Sequence, residues 1–230
     1  MSGSANCTVA GATSCCWSDA AREPVRGCHH RHVKENDVFV LADQALNRVV
    51  QQIADDQWSI VVPASFVRIS PGDTPPELRT IIKHHASDDA WVPDTLSGRT
   101  MDEVGKDKFA GDLLGDDPKA AFAAIVDTAC ATASQFDDLE RTVHLSFGDY
   151  TAREYFWQIN FFRGMRAHEI AKLIGADPTL PDDLVQGLWD EVGPVAEVWR
   201  KIGVFGPAIP VPDDAPLMQR LLGVTGRDPG

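Results

Sequence analysis

From Val33 to the end of the chain, apolar residues recur at intervals of three and four rather than in alternation. That spacing places them on one face of a helix, and a long series of such stretches commits a chain to packing helix against helix. Residues 36–55 put Val38, Leu41, Ala45, Val49 and Ile53 on one stripe, with Asn36 as the expected N-cap. The SPGDTPPE run makes a loop, with Thr74 as the cap of a second helix and Pro75 and Pro76 in its first turn. This second helix carries Leu78, Ile81, Ile82, His85, Trp91 and Leu96, and Pro93 either kinks or divides it. After a Gly- and Asp-rich loop over 98–115, Asp117 and Pro118 open an alanine-rich third helix, KAAFAAIVDTACATASQF. A linker, DDLERTVHLSFGDY, leads to a fourth helix over about 152–174, with Thr151 and Glu154 at capping-box spacing and Gly175 at its end. Residues 181–201 form a fifth, around Leu184, Leu188, Val192, Val195 and Trp199. The remainder is proline-rich and extended, with one helical turn near 215–223. Only SIVVPASFVRI competes weakly as a strand. The expected fold is all-α: a four-helix bundle with an additional C-terminal helix and an extended proline-rich tail.

A chain of 230 residues suffices for one domain with a real core. Its net charge of -13 argues against nucleic acid or an anionic membrane as partner, and no apolar run reaches membrane-helix length. The cysteines are uneven: Cys7, Cys15, Cys16 and Cys28 fall in the first 28 residues and only Cys130 lies beyond. A disulfide scaffold would spread its bridges, so the body reads as reduced and cytoplasmic. Cys130, among alanines, reads as a packing residue rather than a nucleophile. Residues 1–32 lack any apolar period and any secretory apolar core, and are expected to be a disordered extension to a domain over 33–230. Their Cys28, His29, His30 and His32 suggest a metal knuckle, at a spacing that matches no standard zinc pattern.

Chemistry concentrates in IIKHHASDDAW, where His84 precedes Asp88, and His85 precedes Asp89, by one helical turn. Either pair offers a nitrogen and a carboxylate to one point, as a metal site or as a polar face. His84, or else His85, is expected to look into the bundle and its neighbour out.

LRTIIKHHASDDAW, the helix ending AHEIAKLIG and the tail FGPAIPVPDDAPLMQRLLGVTGRDP together resemble the DinB/YfiT-like superfamily. The branch is the actinobacterial metal-binding domain of mycothiol-dependent maleylpyruvate isomerase and its relatives, over about 36–229. The resemblance implies a DinB-like bundle holding a divalent metal, zinc or nickel, that activates mycothiol or water. It gives one histidine ligand on the second helix, best matched by His84, and two ligands one turn apart on the fourth.

The fourth helix departs from that pattern. With Glu169 at the family's aspartate position, the two ligand slots fall on Phe162, which has no donor, and Arg166, which is cationic. His168 lies about 200° around the helix from Arg166 and turns inward only through a local distortion. Two readings follow. One is a metal- and thiol-dependent isomerase or transferase, with His84 and His168 as ligands and Asp88 or Glu169 completing the set. The other is a metal-free bundle in which Phe162, Arg166 and Glu169 face inward. Arg166 there pairs with Glu169 and with Asp88 or Asp89, as a structural network or as the grip on a small anionic ligand, without catalysis. His144 reads as a surface or rim histidine, and Trp91, Trp157, Trp189 and Trp199 as mostly core. The expected partners are a small molecule and a second copy of the chain.

Overall fold

The computed structural model describes residues 33–63 and 74–230. Within them the chain forms α1 (Glu35–Val50), α2 (Leu78–Leu96), a single turn α3 (Met101–Val104), α4 (Pro118–Ser134), a hairpin of β1 (Thr142–Leu145) and β2 (Gly148–Thr151), and α5 (Ala152–Ile174). There follow α6 (Asp182–Val192), α7 (Ala196–Lys201) and α8 (Leu217–Val224). The expectation of a mainly helical fold holds. Among the described residues no helix is long and apolar enough to cross a membrane. The readings on residues 1–32, the Cys/His cluster included, lie outside the described residues, as does part of SIVVPASFVRI.

Local chemistry explains where the elements start and stop. Asp117 Oδ1 accepts from Ala120 N at 3.0 Å and starts α4 with Pro118 behind it. Thr151 and Glu154 close the reciprocal capping box of α5, and Gly175, at φ 75°, ends it in the left-handed region that glycine tolerates. Two cap assignments need correction. Lys34, not Asn36, is the N-cap of α1; Asn36 is buried and its Nδ2 donates to the carbonyls of Ala133 and Phe136, tying α1 to the end of α4. Thr74 does not cap α2, which begins at Leu78 after Glu77. The residues before it are committed to extended pairing, with Val62 N donating to Pro76 O at 3.0 Å and Leu78 N to Ile60 O at 2.8 Å.

Three more outcomes differ from the sequence pattern. Pro93 neither ends nor divides α2, which runs on to Leu96. The linker before α5 is a hairpin, pairing Thr142 with Thr151 and His144 with Asp149. The fifth helix is broken by a short 3-10 turn at Gly193–Val195, where Pro194 supplies no amide to continue the ladder.

The four long helices pack as a bundle: α1 against α4 and α5, and α2 against α4. α2 and α5 do not pack closely on each other, so that edge is the loosest side. α6 lies on α1 and α5 by close approach at two glycines. A Cβ on Gly187 would come within 2.4 Å of Val38 Cγ2, and one on Gly164 within 2.7 Å of Leu188 Cδ1.

The core divides into two apolar clusters. One gathers Leu46, Ile82, Phe122, Phe161 and Met165; the other, toward the hairpin, gathers Phe39, Val92, Val143, Tyr155 and Phe156. Between them, charged residues occupy core positions: Asp43 lies between Phe39 and Leu46 on α1, and Asp89 between Ala86 and Val92 on α2. Arg163 lies between Phe156 and Ala167 on α5.

Candidate functional site

The buried arginine of α5 is Arg163, three residues before the one expected. Only 2% exposed, it reaches across the bundle to carboxylates on two other helices. Its Nε donates to Asp89 Oδ1 at 2.8 Å and Nη2 donates to the same oxygen. Asp43 Oδ1 lies 2.9 Å from Nε, close enough for ion pairing but off the hydrogen-bond direction, so both Asp43 oxygens lack a hydrogen-bond partner. The guanidinium also covers the Phe39 ring at 5.1 Å. Burial alone would favour a neutral arginine, but Asp89 and Asp43 outweigh it and hold the proton in place.

Two carboxylates against one guanidinium leave an excess negative charge in a dry layer, and such charge is relieved by a proton. Burial, reinforced by the charge of Asp89, pushes the Asp43 carboxyl well above the usual range; burial raises Asp89 as well. His85 is buried beside them with Nδ1 unpartnered, and burial followed by the charge of Arg163 pushes its pKa well down. The layer thus sets one guanidinium against two carboxyls, both held toward their protonated forms, beside a histidine held toward its neutral form.

The sequence candidates divide around this layer. His85 and Asp89 turn inward and His84 and Asp88 outward, so His84, the histidine best matched to the ligand slot, is exposed and its neighbour His85 takes the inward place. Arg166 does not take the central place: its Nη1 donates to Glu169 Oε2 at 3.0 Å, and Glu169 Oε1 accepts from Arg227 Nε at 3.0 Å. Asp89 is paired by Arg163 rather than by Arg166. Phe162 does not face the interior; it is 38% exposed and stacks on Trp199 with ring centres 6.0 Å apart. The stripe that does face inward runs through Phe156, Arg163 and Ile170, and the carboxylates on α1 and α2 answer the charge it carries. His168 is half-buried, with Nδ1 at 2.9 Å from the carbonyl of Pro178. Burial lowers its pKa. Trp157, 37% exposed, is not a core residue.

A divalent metal of the kind the resemblance implies does not fit these residues. Phe162 has no donor, Arg166 is cationic and engaged, and His168 is bonded to a loop carbonyl. The inward His85, Asp89 and Asp43 surround a guanidinium that would repel a dication. Among the described residues no three His, Cys, Asp or Glu side chains converge for an ion. Cys130 is buried in α4, and burial pushes its thiol far above the range of a nucleophile.

A better receptor lies at the hairpin end of the α2–α5 edge. A cavity of about 420 Å³ there is walled by Trp91 from α2, Phe147 from the hairpin tip and Tyr155 from α5. Asp88, Gln158 and His144 supply polar atoms. Phe147 is 65% exposed and leans on Tyr150 at 5.6 Å, while Trp91 is braced edge-on by Phe109 at 5.0 Å. His144 is thus a rim residue, its Nδ1 held at 2.7 Å by Asp149 across the hairpin. Asp88 is open to solvent, yet enough protein surrounds its carboxyl that burial raises its pKa. A second cavity of about 530 Å³, between the end of α5 and the tail, is lined by Lys172 and by Arg227, which shares Glu169 with Arg166. Of this first pocket, the sequence pattern singled out Asp88 as a site candidate and His144 as a surface or rim histidine, while Trp91 was expected in the core. Phe147 and Tyr155 carry no linear signal, because a hairpin fold brings them together. No family model, no curated protein and no solved structure matches this chain.

Proposed function

We propose that this protein is a DinB-like helical bundle that binds a small organic molecule in the pocket between α2, the hairpin and α5, with no resident metal in the contact. The observation that carries the reading is the pocket wall. Three aromatic side chains from three separate elements meet a few polar groups around a volume suited to a small ligand. The mycothiol-linked isomerase or transferase chemistry implied by the resemblance needs a metal-bound thiolate, and the side chains at the matched slots cannot supply its ligands. The anion-binding alternative also moves, because Arg166 is already engaged by Glu169.

Thermal-shift screening of the full chain against a small-molecule library tests this. Compounds that raise the melting temperature of wild type should lose most of that effect in Phe147→Ala, whose side chain is largely exposed. They should keep it in Lys172→Met, which alters the other cavity. Hits that survive Phe147→Ala and vanish in Lys172→Met would overturn the assignment, as would a screen with no hits.

A further inference from the structure

The described lining combines aromatic rings, the aliphatic Met101, Leu145 and Ile159, neutral polar side chains, His144 and one carboxylate, Asp88. Trp91, Phe147 and Tyr155 present ring faces or edges, and Ser87, Thr95 and Gln158 present neutral hydrogen-bonding atoms. Among the described residues no lysine or arginine lines the pocket. Asp88 has no hydrogen bond or ion pair among the described residues, so its charge is not already answered. The remaining polar rim group, His144, is tied to Asp149, which adds a second carboxylate just outside the lining.

The charges behind the wall do not reverse this sign. Arg163 is the nearest fixed cation to act on Asp88, but it is spent on Asp89 and Asp43. His84, one turn before Asp88 on the same face, is exposed. Lys108, on the loop beside α2, is held by Asp94 at 2.6 Å. The chain as a whole carries -13. An anion entering here would meet an unpaired carboxylate and no counter-charge. A neutral apolar molecule would leave Asp88 partly desolvated and unanswered.

We infer that the ligand of this pocket is an organic cation, an amine or quaternary ammonium on an apolar body, its charge set against Asp88 and its body against Trp91, Phe147 and Tyr155. This rests on the reading of the pocket as the ligand site and adds the ligand's charge class. Ring faces attract a cation through their quadrupole, and a carboxylate in a partly desolvated wall gives the attraction a direction. The raised pKa of Asp88 accords with a carboxyl that lacks a partner, and a bound cation would supply one.

Calorimetry of the full chain with a matched series decides it: phenethylamine, benzyltrimethylammonium, phenethyl alcohol and hydrocinnamate, which share a ring and differ in charge. The two cations should bind at least roughly tenfold tighter than the alcohol, the gain expected of one charged contact, and hydrocinnamate should bind weakest. Asp88→Asn should cut cation affinity roughly ten- to hundredfold and leave the alcohol nearly unchanged. Phe147→Ala should weaken every member that binds. If the alcohol or hydrocinnamate equals the amine, and Asp88→Asn has no effect while Phe147→Ala still weakens binding, the charge class is wrong and the pocket stands. If Phe147→Ala changes nothing, the pocket itself is wrong.

Discussion

Arg163 is the side chain on which the interior depends most, because among the described residues two carboxylates from different helices pair with no other cation. Replacing it with Met keeps the length and removes the charge, leaving Asp89 and Asp43 buried and unanswered. Urea denaturation should show a loss of about 3–5 kcal/mol. Arg166→Met should cost less, since Glu169 keeps its bond to Arg227; equal losses would mean that Arg163 does not hold the two carboxylates. Asp43 makes a separate prediction through pH. Its folded pKa lies above its unfolded one, so between the two the folded chain holds a proton that the unfolded chain has released. Stability therefore falls as pH rises through that window, by at most about 1.4 kcal/mol per unit. Asp43→Asn cannot titrate, so its stability relative to wild type should climb as pH rises from about 5 to 8. His85 acts oppositely: its depressed pKa means that stability is lost as pH falls below about 6.5. That contribution is common to both proteins and cancels in their difference. A difference that stays flat with pH would show Asp43 to be ionised in the fold.

The elements differ in how openly the sequence declares them. The capping box of α5, the Asp-Pro start of α4 and the glycine stop at 175 were legible, because each is a contact between residues a few positions apart. The hairpin was not: β1 and β2 are four residues each, and their worth lies in pairing rather than in an apolar alternation. The break between α6 and α7 could have been read from Gly193-Pro194, a clearer signal than the apolar stripe that runs past it. The register of α5 was misjudged for a different reason. Phe162, Arg166 and Glu169 do share a face, but the face that turns inward carries Arg163, whose charge is answered by Asp43 and Asp89, residues 74 or more positions away. Charged residues at core positions interrupt an apolar stripe, and nothing local marks them as partners. The seating of α6 on α1 gives an element-scale test. Gly187→Ala would push a methyl toward the branched, fully buried Val38, and should destabilise by about 1–3 kcal/mol in urea titration. Unchanged stability would mean that the two helices part without cost.

At the scale of the molecule, the bundle is closed on three sides and looser on the fourth, and the pocket lies at the hairpin end of that loose edge. The charged layer separates the two apolar clusters, and the ion pairs of Arg163 with Asp43 and Asp89 tie α5 to α1 and α2. The helical class followed from periodicity; which histidine turns inward did not, since His84 was the one expected and His85 is the one buried. The receptor did not, because its aromatic wall joins α2 to residues more than 50 positions later. Binding of a small molecule at this wall is reported most directly by the tryptophan indole signals. Six tryptophans are spread through the chain; Trp91 lines the pocket, while Trp189 and Trp199 pack with the other cluster. In heteronuclear NMR of the full chain titrated with phenethylamine, the Trp91 indole signal should move saturably while those of Trp189 and Trp199 stay in place. Movement of Trp189 or Trp199 instead, or no indole shift at saturating amine, would contradict the account.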